Sequence, residues 1–310
     1  MEGSRRAIIA AFLANLGIAA AKFAAFLATG AASMLAEAVH SLADSANQGL
    51  LILGGALALR PPSPEHHFGY GRERYFWAFI VALVLFSMGS LFAITEGVAK
   101  LRDPHELVST GWAIAVLLLA IVLESWSLRT AMHAARKDRG ALSWWSYVRR
   151  SKQPELPVVL LEDFGALLGL MIALLGVGLA SWLGDPRFDA LGSIGIGLLL
   201  GVIAVILAVE MKSLLIGESA SPEHSQAIQS AIEAAPDVRR LIHLRTQHIG
   251  PDELLVAAKL EFDAGLDFAA LAIAIDRVEA AIRAQVPLAR LIYLEPDVHR
   301  QAPSEADTRP

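Results

Sequence analysis

The sequence predicts an α-helical membrane protein of six transmembrane helices, followed by a small cytoplasmic α+β domain in the order αββαβ. Three observations predict it. The 310 residues are 55% hydrophobic and only 18% charged, with mean hydropathy +0.50, whereas a soluble chain is about 25% charged. The apolar excess lies in blocks of about 20 or more residues, each long enough to cross roughly 30 Å of hydrocarbon. After Gly217 that texture gives way to short β-type runs alternating with amphipathic helices.

The spans fall at about 7–29, 33–59, 75–99, 111–134, 157–183 and 189–216. Arg5 and Arg6 before the first apolar run have the look of a signal peptide. That run is longer than a signal core, and the next segment carries the polar residues of interest, so it is read as the first span. A short turn at Gly30 makes the first two spans a tight hairpin. Pro61, Pro62 and Pro64 end the second span, because proline lacks a donor and clashes inside a helix. Pro154 and Pro157 mark the start of the fifth. Gly165, Gly169 and Gly176 in the fifth span, with Gly192, Gly195 and Gly197 in the sixth, permit the close approach that lipid-embedded helices use. Loop cations collect on one side, including Arg5, Arg6, Arg60, Arg72, Arg139 and Arg149, against Lys100, Arg102 and Arg187 on the other. By the positive-inside rule both termini are cytoplasmic. Trp144, Trp145 and Tyr147, in the fourth-to-fifth loop, suit the headgroup level.

The transport domain is thus assigned to 1–217, the cytoplasmic domain to 218–299 and a disordered tail to 300–310. In the second of these, helices are expected at Ser219–Ala235 and Phe268–Gln285. Strands are expected at Val238–His248, Leu254–Phe262 and Ala289–Glu295, with a turn at Gly250-Pro251-Asp252. His243 and His248 lie five apart on one strand and so face opposite sides, which reads as two surface histidines.

Net charge −5 and a pI near 6.0 give no sign of nucleic-acid binding. Cysteine is absent, which excludes disulfides, iron–sulfur clusters and thiolate zinc sites. Any metal must be held by nitrogen and oxygen.

The chemistry centres on Glu37-Ala-Val-His40-Ser-Leu-Ala-Asp44-Ser-Ala-Asn47-Gln48, inside the second span. His40 and Asp44 are one turn apart on one helix face. An imidazole and a carboxylate so placed make half of a tetrahedral site for zinc or a similar cation. The other reading is a polar patch that joins helices by hydrogen bonds. Ionisable groups inside a span are costly and mark ion paths. The second half of a site is expected from Glu162-Asp163 in the fifth span, about 100° apart on the helix. Asp163 is assigned as a ligand. Glu162 is assigned as a supporting group, proton acceptor or late ligand, with pairing to Lys22 as the bland alternative. Asn47, a turn beyond Asp44, offers a carbonyl oxygen or a helix-joining hydrogen bond. Glu96, Glu124 and Glu210 are read as interfacial. His66, in the loop His66-His67-Phe68-Gly69-Tyr70-Gly71, is either a metal contact or part of a structural loop.

These segments, in order, resemble the cation diffusion facilitator family: His40-Ser-Leu-Ala-Asp44-Ser-Ala-Asn47-Gln48, His66-x-Phe-Gly-Tyr-Gly-Arg72, Leu161-Glu-Asp163, and Tyr-Leu-Glu295-Pro-Asp297 after an α+β tail. Leu161-Glu-Asp163 is similar to the zinc transporter 9-like branch. The resemblance implies a homodimer, joined here through 218–299, that exports zinc from the cytoplasm in exchange for protons. It implies two metal ligands from the second helix, His40 and Asp44, and two from the fifth. Asp163 matches one of the latter; the other falls on Val159, which cannot bind metal. Glu162, Asn47 or water then completes the shell. The family's loop site matches only at His66, since Ser63 stands where some members have Asp. Its tail-domain ligands fall on Ile242, Lys259 and Tyr293, so the tail is expected to dimerise without a tight dinuclear centre.

The expectation is a secondary active transporter, not an enzyme, with Zn2+ as cargo, no prosthetic group, and the lipid bilayer as its surroundings. A cation binds only when His40 is neutral and the aspartates are ionised, so metal and protons compete for the same groups. Alternating access needs only a small gap between inward and outward states. Two rivals remain: a transporter of Mn2+, Fe2+, Co2+ or Cd2+ with the same fold, and a non-transporting membrane scaffold. The Ala/Arg-rich composition and compact loops lean to a bacterial inner membrane.

Overall fold

The computed structural model describes residues 2–105 and 110–299, with side chains from Leu16 onward and without that of Lys137. The expected disordered tail, 300–310, lies outside the described residues. The chain divides into two compact units. One holds the chain up to Pro61 with Glu73–Ser213; the other holds Pro62–Arg72 with the chain from Leu214 onward.

The first unit is helical. Its elements are α1 (Glu2–Thr29), α2 (Ala32–Ala58), α3 (Glu73–Val84), a π-helical stretch (Leu85–Leu91), α4 (Phe92–Arg102), α5 (Thr110–Arg139), α6 (Trp144–Arg150), α7 (Glu155–Leu183) and α8 (Arg187–Ile216). Glu73–Arg102, Thr110–Arg136, Glu155–Leu183 and Arg187–Ile216 are long and apolar enough to cross a membrane. In α1 the described apolar stretch is Leu16–Thr29. Buried polar groups such as Glu37, His40 and Asn47 dilute the apolarity of α2.

Local chemistry explains the breaks. Gly30 takes φ +65° between α1 and α2, a conformation open to glycine. Ala31, at the α2 N-cap, has no capping side chain. Asp189 of α8 substitutes: its carboxylate accepts the Ala32 N–H at 2.7 Å and the Ser33 N–H and hydroxyl, and it lies 3.4 Å from Lys100 Nζ. Lys100 also donates to the Gly30 carbonyl. These groups satisfy donors that a helix start leaves open. Small residues let the α3–α4 rod meet α8. A methyl at Gly97 would stand 2.8 Å from the Ala190 carbonyl, and one at Gly197 2.8 Å from that of Ser90.

The fourth-to-fifth connection is not an open loop. Ser143 caps α6, accepting the Ser146 N–H at 3.1 Å. Tyr147 is buried with Ala131, Ala135 and Leu160, and Arg139 sits over the Trp144 ring at 4.6 Å. Among the three aromatics expected at headgroup level, Tyr147 is therefore a packing residue. Its pKa is raised, chiefly by burial.

The second unit contains α9 (Pro222–Glu233), β1 (Val238–Gly250), β2 (Glu253–Phe262), α10 (Phe268–Gln285) and β3 (Leu291–Pro296). The sheet order is β1-β2-β3, antiparallel then parallel, with β2 central. Ser221 caps α9 and Pro222 opens it, so the helix begins three residues later than expected. β2 alternates half-buried and buried along its whole length. Leu254, Val256, Leu260 and Phe262 thereby meet Ile228 and Ile232 of α9 and Val278 and Ile282 of α10. His248 is 1% exposed, not a surface histidine, because the end of β1 is buried on both faces; His243 is exposed. Gly71 and Gly250 meet backbone to backbone, and a Cβ on Gly250 would stand 2.9 Å from the Gly71 Cα. The Lys259 ammonium lies 2.9 Å from Glu295 and 3.1 Å from Asp297.

Candidate functional site

The polar face of α2 is where the first unit departs from an ordinary apolar bundle. His40 is fully buried, and its Nδ1 lies 3.5 Å from Asp44 Oδ1. Among the described residues neither His40 ring nitrogen nor Asp44 Oδ1 has a hydrogen-bond partner. That is costly in a low-dielectric interior. One turn earlier, Glu37 is paired with Lys22 of α1 at 3.1 Å, and Lys22 also donates to the Ser41 hydroxyl at 2.7 Å. Glu37 also presses on α7: a side chain at Gly169 would strike its Oε1. Lys22 therefore answers Glu37, and the pairing with Glu162 considered from sequence does not form.

Facing Asp44 is a small cavity lined by Ser41, Asp44, Gln48, Glu124, Val159, Glu162 and Asp163. It has room for about one water molecule. Helical spacing puts Ser41, Asp44 and Gln48 on one stripe of α2. On α7 the adjacent acids both reach the cavity, and each is steadied by a different neighbour. Asn47 Nδ2 donates to Glu162 Oε1 at 2.6 Å, and Ser127 Oγ of α5 donates to Asp163 Oδ2 at 2.9 Å. The Asn47 carbonyl oxygen has no partner among the described residues.

His40 with Asp44 form one close pair, and Glu162 with Asp163 share the cavity wall with Asp44. Among the described residues no three His, Asp or Glu side chains converge tightly enough to ring one ion as they stand. Asn47 acts here as the hydrogen-bond donor that holds Glu162. His66 belongs to the other unit, exposed, with its ring centroid 4.6 Å from that of Tyr70.

Glu124, expected at the interface, is found elsewhere. It is not interfacial: it sits at mid-length in α5, 8% exposed, and lines the cavity. Its central place within the fourth apolar block was a signal, as an acid there must find polar company. Ser127 carried no such signal.

Acids gathered around one cavity, between helices apolar enough to cross a bilayer, define an integral membrane protein with a polar interior. The family follows from comparison. Residues 8–216 match the family model described as the cation efflux transmembrane domain, and the chain belongs to the cation efflux family, the cation diffusion facilitators. It is 36% identical over 244 residues to human "Proton-coupled zinc antiporter SLC30A9, mitochondrial", covering 78% of this chain and 43% of that protein. It is 29% identical over 264 residues to "Metal tolerance protein C4" of Arabidopsis thaliana, covering 84% and 58%. It is 30% identical over 293 residues to "Cation-efflux pump FieF" of Klebsiella pneumoniae, covering 92% and 89%. The chain spans less than half the length of the first of these relatives.

Proposed function

We propose that this protein is a secondary active transporter that exports a divalent cation, zinc foremost, from the cytoplasm in exchange for protons by alternating access. The observation that carries this is the cavity: Asp44, Glu162 and Asp163 line it, and His40, with no hydrogen bond to either ring nitrogen among the described residues, stands behind Asp44. His40, Asp44 and Asp163 are the metal ligands. Glu162 completes the shell or relays a proton, and Asn47 holds Glu162 in place. Ser127 occupies only the Oδ2 oxygen of Asp163, which leaves Oδ1 for the ion. The names of the human and Klebsiella relatives, a zinc antiporter and a cation-efflux pump, agree with this reading.

Protons enter through ligand chemistry. Carboxylates and imidazole bind metal only when deprotonated, so binding weakens as pH falls. All six long helices cross the membrane, with both termini in the cytoplasm. Residues 1–217 form the transport domain, and 218–299 join two copies into a homodimer. The membrane is a bacterial inner membrane. A loop metal contact at His66 is the weakest member of the set.

The test is zinc uptake into proteoliposomes with an imposed pH gradient. Uptake should follow the gradient and raise a counter-flux of protons. Absence of both in folded protein would refute the reading. A second reading draws on the carboxylate-rich lining: oxygen ligands favour harder ions such as manganese. Competition by Mn2+, Fe2+, Co2+ and Cd2+ ranks the cargoes.

A further inference from the structure

Glu124 lines the cavity yet has no part in the set His40, Asp44 and Asp163. Its two neighbours on the wall, Glu162 and Asp163, each accept a hydrogen bond; among the described residues Glu124 accepts none. It is more than nine-tenths buried. The outer face of the same helix is clear, since Val122 is 65% and Trp126 75% exposed. α5 therefore turns apolar side chains outward and this one acid inward. The nearby cation acts on it only through space: the hydrogen bonds that Lys22 makes among the described residues go to Glu37 and Ser41. A carboxylate this buried that accepts no hydrogen bond among the described residues is expensive inside a membrane, and ionisable groups so placed mark ion paths. Val159 of α7 presents only an alkyl group to the same space.

We propose that Glu124 binds the transported cation directly, so that the site is built from three helices, α2, α5 and α7. This rests on the cation-site reading above and assigns it a further ligand. With Glu124 included, the site offers the carboxylates of Asp44, Asp163 and Glu124, with Glu162 on the same wall, and the one imidazole of His40 behind Asp44. That composition is harder than a histidine-rich zinc site and broadens the range of acceptable ions.

The experiment measures Zn2+ binding to the purified full-length protein in detergent by calorimetry, comparing wild type, Glu124→Gln, Asp44→Asn and Asp163→Asn. Altering an outer partner of a metal ligand already costs about 10–100-fold in affinity, so losing a ligand should cost at least about 10-fold. Glu124→Gln should fall with the two aspartate variants. Glu124→His should still bind and should shift preference from manganese toward zinc, an effect that a merely structural role would not produce. If Asp44→Asn and Asp163→Asn lose binding while Glu124→Gln binds like wild type, the Glu124 assignment is overturned and the cation site stands. If the aspartate variants bind like wild type, the cation site itself fails. Should Glu124→Gln not fold, a lipid-soluble carbodiimide applied to the wild type decides. Protection of Glu124 by Zn2+, read by mass spectrometry, supports the assignment; equal labelling with and without Zn2+ overturns it.

Discussion

The two units bury different things. In the tail unit the core is Leu, Val, Ile, Ala and Phe, and His248 is its buried ionisable side chain among the described residues. In the helical unit Lys22, Glu37, His40, Lys100, Glu124, Glu162 and Asp189 are all buried. The tail gains stability by removing apolar surface from water. The helical unit carries charge where charge is costly, and answers it in two ways. At one end, Asp189 and Lys100 are matched to each other and to backbone donors and acceptors. Around the cavity the matching is incomplete. Well-matched charge holds the bundle together; unmatched charge is where a cargo ion has something to add.

Four tests sharpen or break that contrast. The largest effect is expected from Asp44→Ala or Asp163→Ala, each of which should abolish zinc uptake into everted vesicles while the protein still folds. Uptake at the wild-type rate by both would show the unmatched acids to be idle. Next, Lys22→Ala strands Glu37 in the bundle and should destabilise by about 3–5 kcal/mol, with much of it recovered when Glu37 is also replaced by Met. Thermal unfolding in detergent measures this, and an unshifted midpoint would mean that this buried pair costs nothing to break. In the tail, Leu260→Ala removes a fully buried side chain and should cost about 2–5 kcal/mol. Faster hydrogen exchange confined to β1, β2 and β3 is the expected signature. Smallest is Lys259→Ala, which removes the surface ion pairs to Glu295 and Asp297 and should lower the unfolding midpoint only slightly. Hydrogen bonds to Glu295 and Asp297 raise the Lys259 pKa. A raised lysine contributes at neutral pH and loses that contribution only above its ordinary range, near 10.5.

Sequence periodicity reached the elements well where one helix or strand decides its own fate. Phe268–Gln285 was legible to the residue, because Asp267 caps it and its apolar positions recur at helical spacing. His40 and Asp44 were legible as a pair, being four apart on one helix. What could not be read was register between helices. That Asn47 reaches Glu162, that Ser127 reaches Asp163 and that Lys22 prefers Glu37 are facts about neighbouring rods, and no spacing along one rod contains them. The π-helical stretch Leu85–Leu91 likewise left no mark in the pattern of apolar residues. The loop around His66 read as a connector between spans, yet its backbone packs on Gly250, a contact that two glycines allow but do not announce.

The carboxylate of Asp189 has a mechanical consequence. It holds the opening turn of α2 from the neighbouring α8, and without it these amide donors would be left unpaired in a buried place. The beginning of α2 is therefore tied to α8, and a swing of α2 against α8 that keeps these hydrogen bonds would pivot there. In such a swing His40 and Asp44, near the pivot, would travel less than the far end at Ala58.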